Sequence, residues 1–432
     1  MTTCEKTAFC GENPVAVALE GYRTAMPPMQ HVAAYDPTVE GWEHIRAITY
    51  DGASVGDKKT KVFAFVGFPD GACAAHKVPA VVLVHGGGGH AFAQWVKMWN
   101  DRGYGAIAMD TTGFFPSEAG RGLAGWDGED PARWHYGLYG PFAEEGYVNA
   151  PNNDDVSTSA QPLDKQWLYH AVVSVLAAHN ILKADSRVDA GKIGITGISW
   201  GGDITSVAIG YDPEFAFAVP VYGSGYLGES LGSQGPIFSE PYTKALWSPE
   251  ARFSHVTYPV MWLGWSSDIP FSINSQSQSY LDTKSAGGVL NMKVNWGHSH
   301  GGGWEPEDTF IFADAAVGRR ETLTAITAEP VAEKQPDGTW RVTAEMSPDI
   351  TATGLTVAAA YLTAPLSYSV KDGDHEPTID QTWWTVGGRV EADGKTVTAS
   401  LPPEAKDFYL VVSTETAKDK YDVSTCFVQG LA

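Results

Sequence analysis

The sequence predicts an α/β protein, a mostly parallel sheet covered by helices on both faces, followed by an all-β, sandwich-like C-terminal unit. Three observations carry this. Apolar strand runs at 80–84, 104–110 and 192–196 alternate with helical segments at 91–101, 163–182 and 202–211, and strands with apolar interiors belong to parallel sheets buried on both sides. Several of these strands run straight into glycine-rich turns. After Ala316 the pattern changes to short alternating runs at 322–326, 340–345, 355–362, 382–386, 396–401 and 408–412, separated by Asp337-Gly338, Asp372-Gly373 and Asp393-Gly394. That is the cadence of a β-sandwich.

A chain of 432 residues exceeds a usual single domain, and 43% hydrophobic residues is ample for a core. The expected division is an arm over 1–45, a catalytic domain over 46–318 with an insertion at 111–161, and the β unit over 319–432. A formal charge of −22 argues against nucleic acid or an anionic membrane as partner, because both reward clustered Lys and Arg. The acidity reads as solubility. Cys4, Cys10, Cys73 and Cys426 are too sparse for a disulfide scaffold, although Cys4 can pair with Cys10. The first residues lack a basic stretch followed by an apolar core, so the cytoplasm is the expected compartment unless a signal peptide has been trimmed. The expected partner is a small ester substrate, and self-association into a homo-oligomer is compatible with the sequence.

Taken in order, residues 1–45 contain prolines and no periodicity, and read as an irregular arm. Runs 44–50 and 61–68 alternate around Asp51-Gly52 and Gly56-Asp57, an antiparallel pair. The βα alternation follows. Within the helix over 163–182, Trp167, Ala171, Val175, Ala178 and Leu182 recur at helical spacing, which makes Trp167 a core residue. The insertion at 111–161 carries Trp126, Trp134, His135, Tyr136, Tyr139, Phe142 and Tyr147, either as a wall for a sugar ring or apolar ligand or as a small core of its own. A second loop-rich region over 223–254 is a candidate further wall. In the β unit Trp383 and Trp384 are adjacent, so in a strand one faces inward and only the other can offer a platform. Asp372, Asp374 and Glu376 have calcium-ligand chemistry, but the rest of an EF-hand is missing and a solvated acidic loop is expected.

The chemistry sits at strand ends. Gly197-Ile198-Ser199-Trp200-Gly201 follows an apolar run and precedes a helical one, the setting of a nucleophile elbow, where the chain turns too tightly for side chains beside the serine. Run 80–84 opens into His85-Gly86-Gly87-Gly88-Gly89, a loop able to present N–H groups to an oxyanion. Downstream, run 258–265 ends at Ser266-Ser267-Asp268, and run 289–295 at Trp296-Gly297-His298-Ser299-His300. Serine, acid and base thus occur in the chain order of the α/β-hydrolase fold. A serine hydroxyl needs a base, and the base needs a carboxylate to hold its tautomer. Ser199, His298 and Asp268 fill these roles, with the N–H of Trp200 and of Gly87 or Gly88 as oxyanion donors. No metal or cofactor is called for. His300 is the rival base, His85 is expected to shape the glycine loop, and His85, His90, Trp126, Trp134, Tyr136, Tyr222 and His300 are candidates to border the substrate.

The stretches His85-Gly86-Gly87-Gly88-Gly89-His90-Ala91-Phe92, Ala106-Ile107-Ala108-Met109-Asp110, Gln166-Trp167-Leu168-Tyr169-His170-Ala171, Gly194-Ile195-Thr196-Gly197-Ile198-Ser199-Trp200-Gly201-Gly202 and His298-Ser299-His300-Gly301 resemble bacterial α/β-hydrolases grouped with acetyl xylan esterases and dipeptidyl-peptidase-like proteins. Those proteins tend to carry a β-sandwich after the core. The resemblance covers about 46–432 and implies Ser199, Asp268 and His298 as triad and deacetylation of sugar esters. It departs at Asp110-Thr111-Thr112-Gly113, where well-known acetyl xylan and cephalosporin deacetylases have Arg-Gly-Gln after the aspartate. The leading expectation is therefore a serine carboxylesterase acting on a carbohydrate or similar small ester. A prolyl-oligopeptidase-type peptidase shares the triad but would need a β-propeller before the core, and a silent carbohydrate-binding protein would not need the triad.

Overall fold

The computed structural model describes residues 13–121, 131–152, 161–230, 234–369, 378–379 and 381–431. Trp126, Asp372, Asp374, Glu376, Cys4 and Cys10 lie outside the described residues. Among those described, the main sheet has nine strands: β1 (Met29–His31), β2 (Ile45–Asp51), β3 (Lys61–Gly67), β4 (Val78–Val84), β5 (Gly105–Met109), then, after the small pair β6 (Phe114–Pro116) and β7 (Trp134–Tyr136), β8 (Val188–Ile198), β9 (Phe217–Val221), β10 (Met261–Trp265) and β11 (Val289–Lys293). The spatial order is β1-β2-β3-β5-β4-β8-β9-β10-β11. The strands from β5 onward in this order run parallel, while β1, β2 and β3 pair antiparallel at one edge.

Helices α1 (Pro14–Thr24), α2 (Ala93–Asp101), α3 (Trp167–Ala184) and α4 (Trp200–Ala208) cover the sheet, followed by α5 (Gln234–Ser239), α6 (Pro241–Trp247), α7 (Ile273–Thr283), α8 (His300–Trp304) and α9 (Glu307–Ala316). In α3 every residue from Trp167 to Leu182 is buried. An all-round apolar helix has no solvent face to offer, so it lies wholly inside. Trp167 packs in the core as its spacing predicts and donates its indole N–H to Thr111 O at 2.7 Å.

Two expectations are corrected here. Residues 13–45 are not an irregular arm: Asn13 caps the N–H groups of Val15 and Ala16, Pro14 opens α1, and Val15 and Leu19, four apart on one face, are fully buried. The cap followed by proline is a start signal that outweighs the lack of a longer period. The loop-rich region over 223–254 contains α5 and α6, the latter begun by Glu240 accepting from Thr243 N and by Pro241 in the first turn. Strand β9 carries Pro220 in its middle, a residue that argues against a central strand because it has no N–H. On the β10 side Ala218 N donates to Pro259 O at 3.1 Å and Tyr222 N to Leu263 O at 2.9 Å, so Pro220 falls between two donors of the ladder.

The C-terminal part is β12 (Ala325–Lys334), β13 (Trp340–Ser347), β14 (Ala352–Leu362), the short pair β15 (Tyr368–Ser369) and β16 (Thr378–Ile379), β17 (Trp384–Val390), β18 (Thr396–Leu401), β19 (Asp407–Thr416) and β20 (Lys420–Ser424). This is the expected all-β unit: one seven-stranded antiparallel sheet, ordered β12-β13-β18-β17-β14-β19-β20, curls over a core that includes Val342, Ala359, Val397, Phe408 and Leu410. Its two ends meet where Thr324 N donates to Tyr421 Oη at 2.8 Å. The adjacent tryptophans divide as strand geometry requires. Trp383 is buried against Tyr409 and Phe427 and donates to Ser266 O at 3.1 Å, whereas Trp384 is 53% exposed.

No described helix is long and apolar enough to cross a membrane. Trp383→Ala is expected to cost about 3–5 kcal/mol, the usual range for a buried Trp truncation, read as a lower urea midpoint. Trp384→Ala should change stability by less than about 0.5 kcal/mol. Equal effects would contradict the packing of Trp383 against Tyr409 and Phe427 as a source of stability.

Candidate active site

Ser199 lies between the last residue of β8 and the first of α4, with φ 57° and ψ −121°. A non-glycine residue in that region is strained and persists only where its surroundings over-determine it. The surroundings here are backbone. A Cβ on Gly201 would stand 2.0 Å from Val84 O, and one on Gly197 would stand 2.1 Å from Gly201 O. Only glycine permits the helix to approach the sheet this closely, and Ser199 N is held by Val221 O at 2.9 Å. The hydroxyl is thereby raised above the carboxyl edge of the sheet.

The ends of β10 and β11 bring the other two groups. His298 Nε2 is 2.8 Å from Ser199 Oγ, and His298 Nδ1 is 2.7 Å from Asp268 Oδ2. The carboxylate accepts, so Nδ1 carries the proton and Nε2 is left as the acceptor of the serine O–H. Asp268 is fully buried and takes a second bond from Phe271 N at 2.9 Å. The His298 ring lies nearly parallel to Tyr222, at 4.5 Å and 22°, and to Phe271, at 5.9 Å and 13°. Tyr222, itself at φ 51° and fully buried, donates its hydroxyl to Gly297 O. Sequence reasoning had Tyr222 bordering the substrate; in the structure it is buried and packs on the His298 ring.

The glycine loop forms a turn in which Gly89 N donates to Gly86 O at 3.0 Å and Gly88 takes φ 70°. Gly86 N is committed to His300 Nε2 at 2.9 Å. The turn's other donors are those of Gly87 and Gly88. Gly87 is the one beside the nucleophile turn, since a Cβ on it would meet Trp200 Cδ1 at 2.8 Å. Trp200 N opens α4, where first-turn N–H groups have no partner within the helix.

His85 is buried, with Nδ1 2.8 Å from Gly86 O and Nε2 accepting from Thr111 N at 3.0 Å. Burial lowers its pKa, so it is a neutral brace for the loop. His300 is likewise pushed down, to about 4, chiefly by burial and then by the neighbouring His85. It is not at the serine. His90 stacks on Trp134 at 4.4 Å and 18° and lies 3.6 Å from Asp110. Burial alone would raise the Asp110 pKa, yet His90, His85 and the N–H of Phe114 hold it below the usual carboxylate value. Tyr136 is 39% exposed and bonds Ala150 O at 2.9 Å. The insertion divides between both readings: Phe115 and Phe142 form a small core with Tyr35 and Phe63, while Trp134 reaches the glycine loop through His90.

Sequence reasoning missed Asp203. It sits one turn after Ser199 on α4, fully buried, with neither carboxyl oxygen hydrogen-bonded among the described residues. Burial, reinforced by the charge of Asp268, raises its pKa well above the usual carboxylate value, so it is a neutral acid. A lone charge-type residue in the otherwise apolar and small stretch 201–208 was the available signal.

Comparison with known proteins follows the same lines. No curated protein matches the sequence significantly. Among solved structures, acetyl xylan esterase 1 from Thermoanaerobacterium sp. JW/SL YS485 superposes with TM-score 0.47 at 14% identity, over 73% of this chain and 98% of that one. The acetyl xylan esterase from Paenibacillus sp. R4 gives 0.48 at 16%, over 71% and 96%. The acylaminoacyl peptidase of Pyrococcus horikoshii gives 0.42 at 17%, over 63% and 41%. Likeness at this level says nothing about substrate. The match of residues 63–300, more than half of the sequence, to the Dienelactone hydrolase family is decisive, and the chain belongs to that family of α/β-hydrolases.

Proposed function

We propose that this hydrolase is a serine carboxylesterase working through an acyl-enzyme. The observation that carries the reading is the relay from Ser199 Oγ to His298 Nε2 at 2.8 Å and from His298 Nδ1 to Asp268 at 2.7 Å, built on a strained elbow. Ser199 Oγ attacks the ester carbonyl as His298 takes its proton. The carbonyl oxygen becomes an anion held by the N–H groups of Trp200 and Gly87, each such donor being worth roughly 3 kcal/mol. The C–O bond to the alcohol then breaks, and His298 returns the proton to the departing oxygen. Water repeats the sequence on the acyl-Ser199 ester, releasing the acid and restoring the hydroxyl. Asp268 keeps His298 in the required tautomer throughout.

For the substrate we favour acetyl or a similarly small acyl group on a carbohydrate or comparable alcohol. Support comes from Trp134, stacked on His90 beside the glycine loop, and from the exposed Tyr136 two residues further along β7, aromatic side chains of the kind that stack on sugar rings.

A fluorophosphonate probe should label the protein at Ser199, mapped by mass spectrometry, and the same preparation should release acetate from acetylated xylan or small aryl esters. Labelling without acetate release would keep the nucleophile and overturn the acyl assignment. Ser199→Ala should lower kcat on p-nitrophenyl acetate by about 10⁴-fold or more, and full activity in that variant would sink the mechanism. Asp268→Asn should cost on the order of 10⁴-fold in kcat, because the amide donates a hydrogen bond toward Nδ1 and favours the wrong tautomer. A loss under tenfold would show that another group orients the base.

A further inference from the structure

We propose that His300 is a positioning residue for the oxyanion donors, so that the three-residue segment His298-Ser299-His300 supplies the catalytic base and also locks the glycine loop against the nucleophile. The inference rests on the reading of Ser199 as nucleophile.

The loop touches the elbow through Gly86. A Cβ there would lie 2.6 Å from Ile198 O and 3.0 Å from Ser199 Cβ, so Gly86 is already in contact with the residue that attacks. Both polar groups of Gly86 are tied to imidazoles. Its N–H donates to His300 Nε2 at 2.9 Å, and its carbonyl lies 2.8 Å from His85 Nδ1, the nitrogen left to donate because Nε2 accepts from Thr111 N. These bonds fix two successive peptide planes. Because a peptide is planar and trans, holding Gly86 C=O from one side aims the Gly87 N–H to the other. His300 fixes the preceding plane and with it the depth of the loop.

The ring of His300 is nested inside the turn. A Cβ on Gly86 would come within 3.0 Å of its Nε2, and one on Gly89 within 2.6 Å. The glycines at 86 and 89 therefore make room for this ring, whereas Gly88 has open space around it and is glycine for its left-handed backbone. Phe92 meets the ring edge-on at 5.5 Å. Burial keeps the ring neutral, and acceptance from Gly86 N selects the tautomer with the proton on Nδ1.

Misplacing a preorganised group by about 1 Å costs on the order of 10²-fold in rate, and an oxyanion donor lost outright costs about 10²–10³-fold. His300→Leu should accordingly lower kcat on p-nitrophenyl acetate by about 10–100-fold with KM within about threefold. It should weaken a trifluoromethyl ketone, whose adduct carries the oxyanion, by the same factor. The pH midpoint of the kcat/KM profile should not move, since the base is untouched. His300→Gln, whose side-chain oxygen can accept from Gly86 N, should recover most of the activity, and it covers the case in which the leucine variant fails to fold. Wild-type kcat and inhibitor affinity in His300→Leu, a glutamine variant as impaired as the leucine, or a displaced pH midpoint would each overturn the proposal. Fluorophosphonate mapping of the unmodified protein separates the two levels. Label at Ser199 with an unaffected His300→Leu removes this inference alone, and label elsewhere removes the reading beneath it as well.

Discussion

The close approach of α4 to β8 and β4 at Ser199 is the constraint on which the rest of the site depends. Backbone oxygens of Val84 and Gly201 occupy the space where Cβ atoms of Gly201 and Gly197 would stand. That contact forces the turn into a single residue, and the single residue takes a left-handed φ. Strain of this kind, typically 1–3 kcal/mol, is offset by the burial of every α4 residue from Gly201 to Ala208. The reward is positional: a hydroxyl on a rigid mount, with a helix N-terminus behind it and loops from three neighbouring strands converging on it.

Electrostatically the site sets neutral groups around two buried carboxylates, Asp268 facing His298 and Asp110 beside His85 and His90. The chain carries a formal −22, yet His85 and His300 are held neutral by burial and Asp203 is held as an acid. Two ionised carboxylates in one low-dielectric pocket would repel strongly. Keeping Asp203 protonated leaves Asp268 as the carboxylate that faces His298. Neutral imidazoles serve the glycine loop for a related reason, since each offers one acceptor and one donor and thereby sets a direction that a doubly protonated ring would lose.

The C-terminal sheet contacts the strand ends that carry Asp268 and His298. Trp383 bonds the carbonyl of Ser266, two residues before Asp268. Ser424 Oγ accepts from Met292 N in β11, the strand that leads to His298. Lys293 bridges Asp308 on α9 and Asp422 on β20 at 3.0 and 2.7 Å, and the two carboxylates keep its pKa raised despite burial. Lys293 thereby ties β11 of the main sheet to β20 of the curled sheet through a part-buried ion pair.

The sequence by itself determined the α/β class, the strands that carry Ser199, Asp268 and His298, and the glycine loop, because each is written in local terms: apolar runs of strand length, turn residues, and a chain order set by topology. It also decided which of Trp383 and Trp384 could be exposed only as an alternation, and left the choice to packing. Tertiary structure decided what depends on distant neighbours. It placed His298 rather than His300 at Ser199, set the buried Tyr222 against the His298 ring, and buried Asp203 beneath the elbow. It also set the strand order of the curled C-terminal sheet and kept Pro220 in a central strand. Patterning along the chain reports which side of an element is apolar. Which imidazole meets which donor, and whether a carboxyl keeps its proton, is set by the burial and partners that only the folded chain brings within hydrogen-bonding distance.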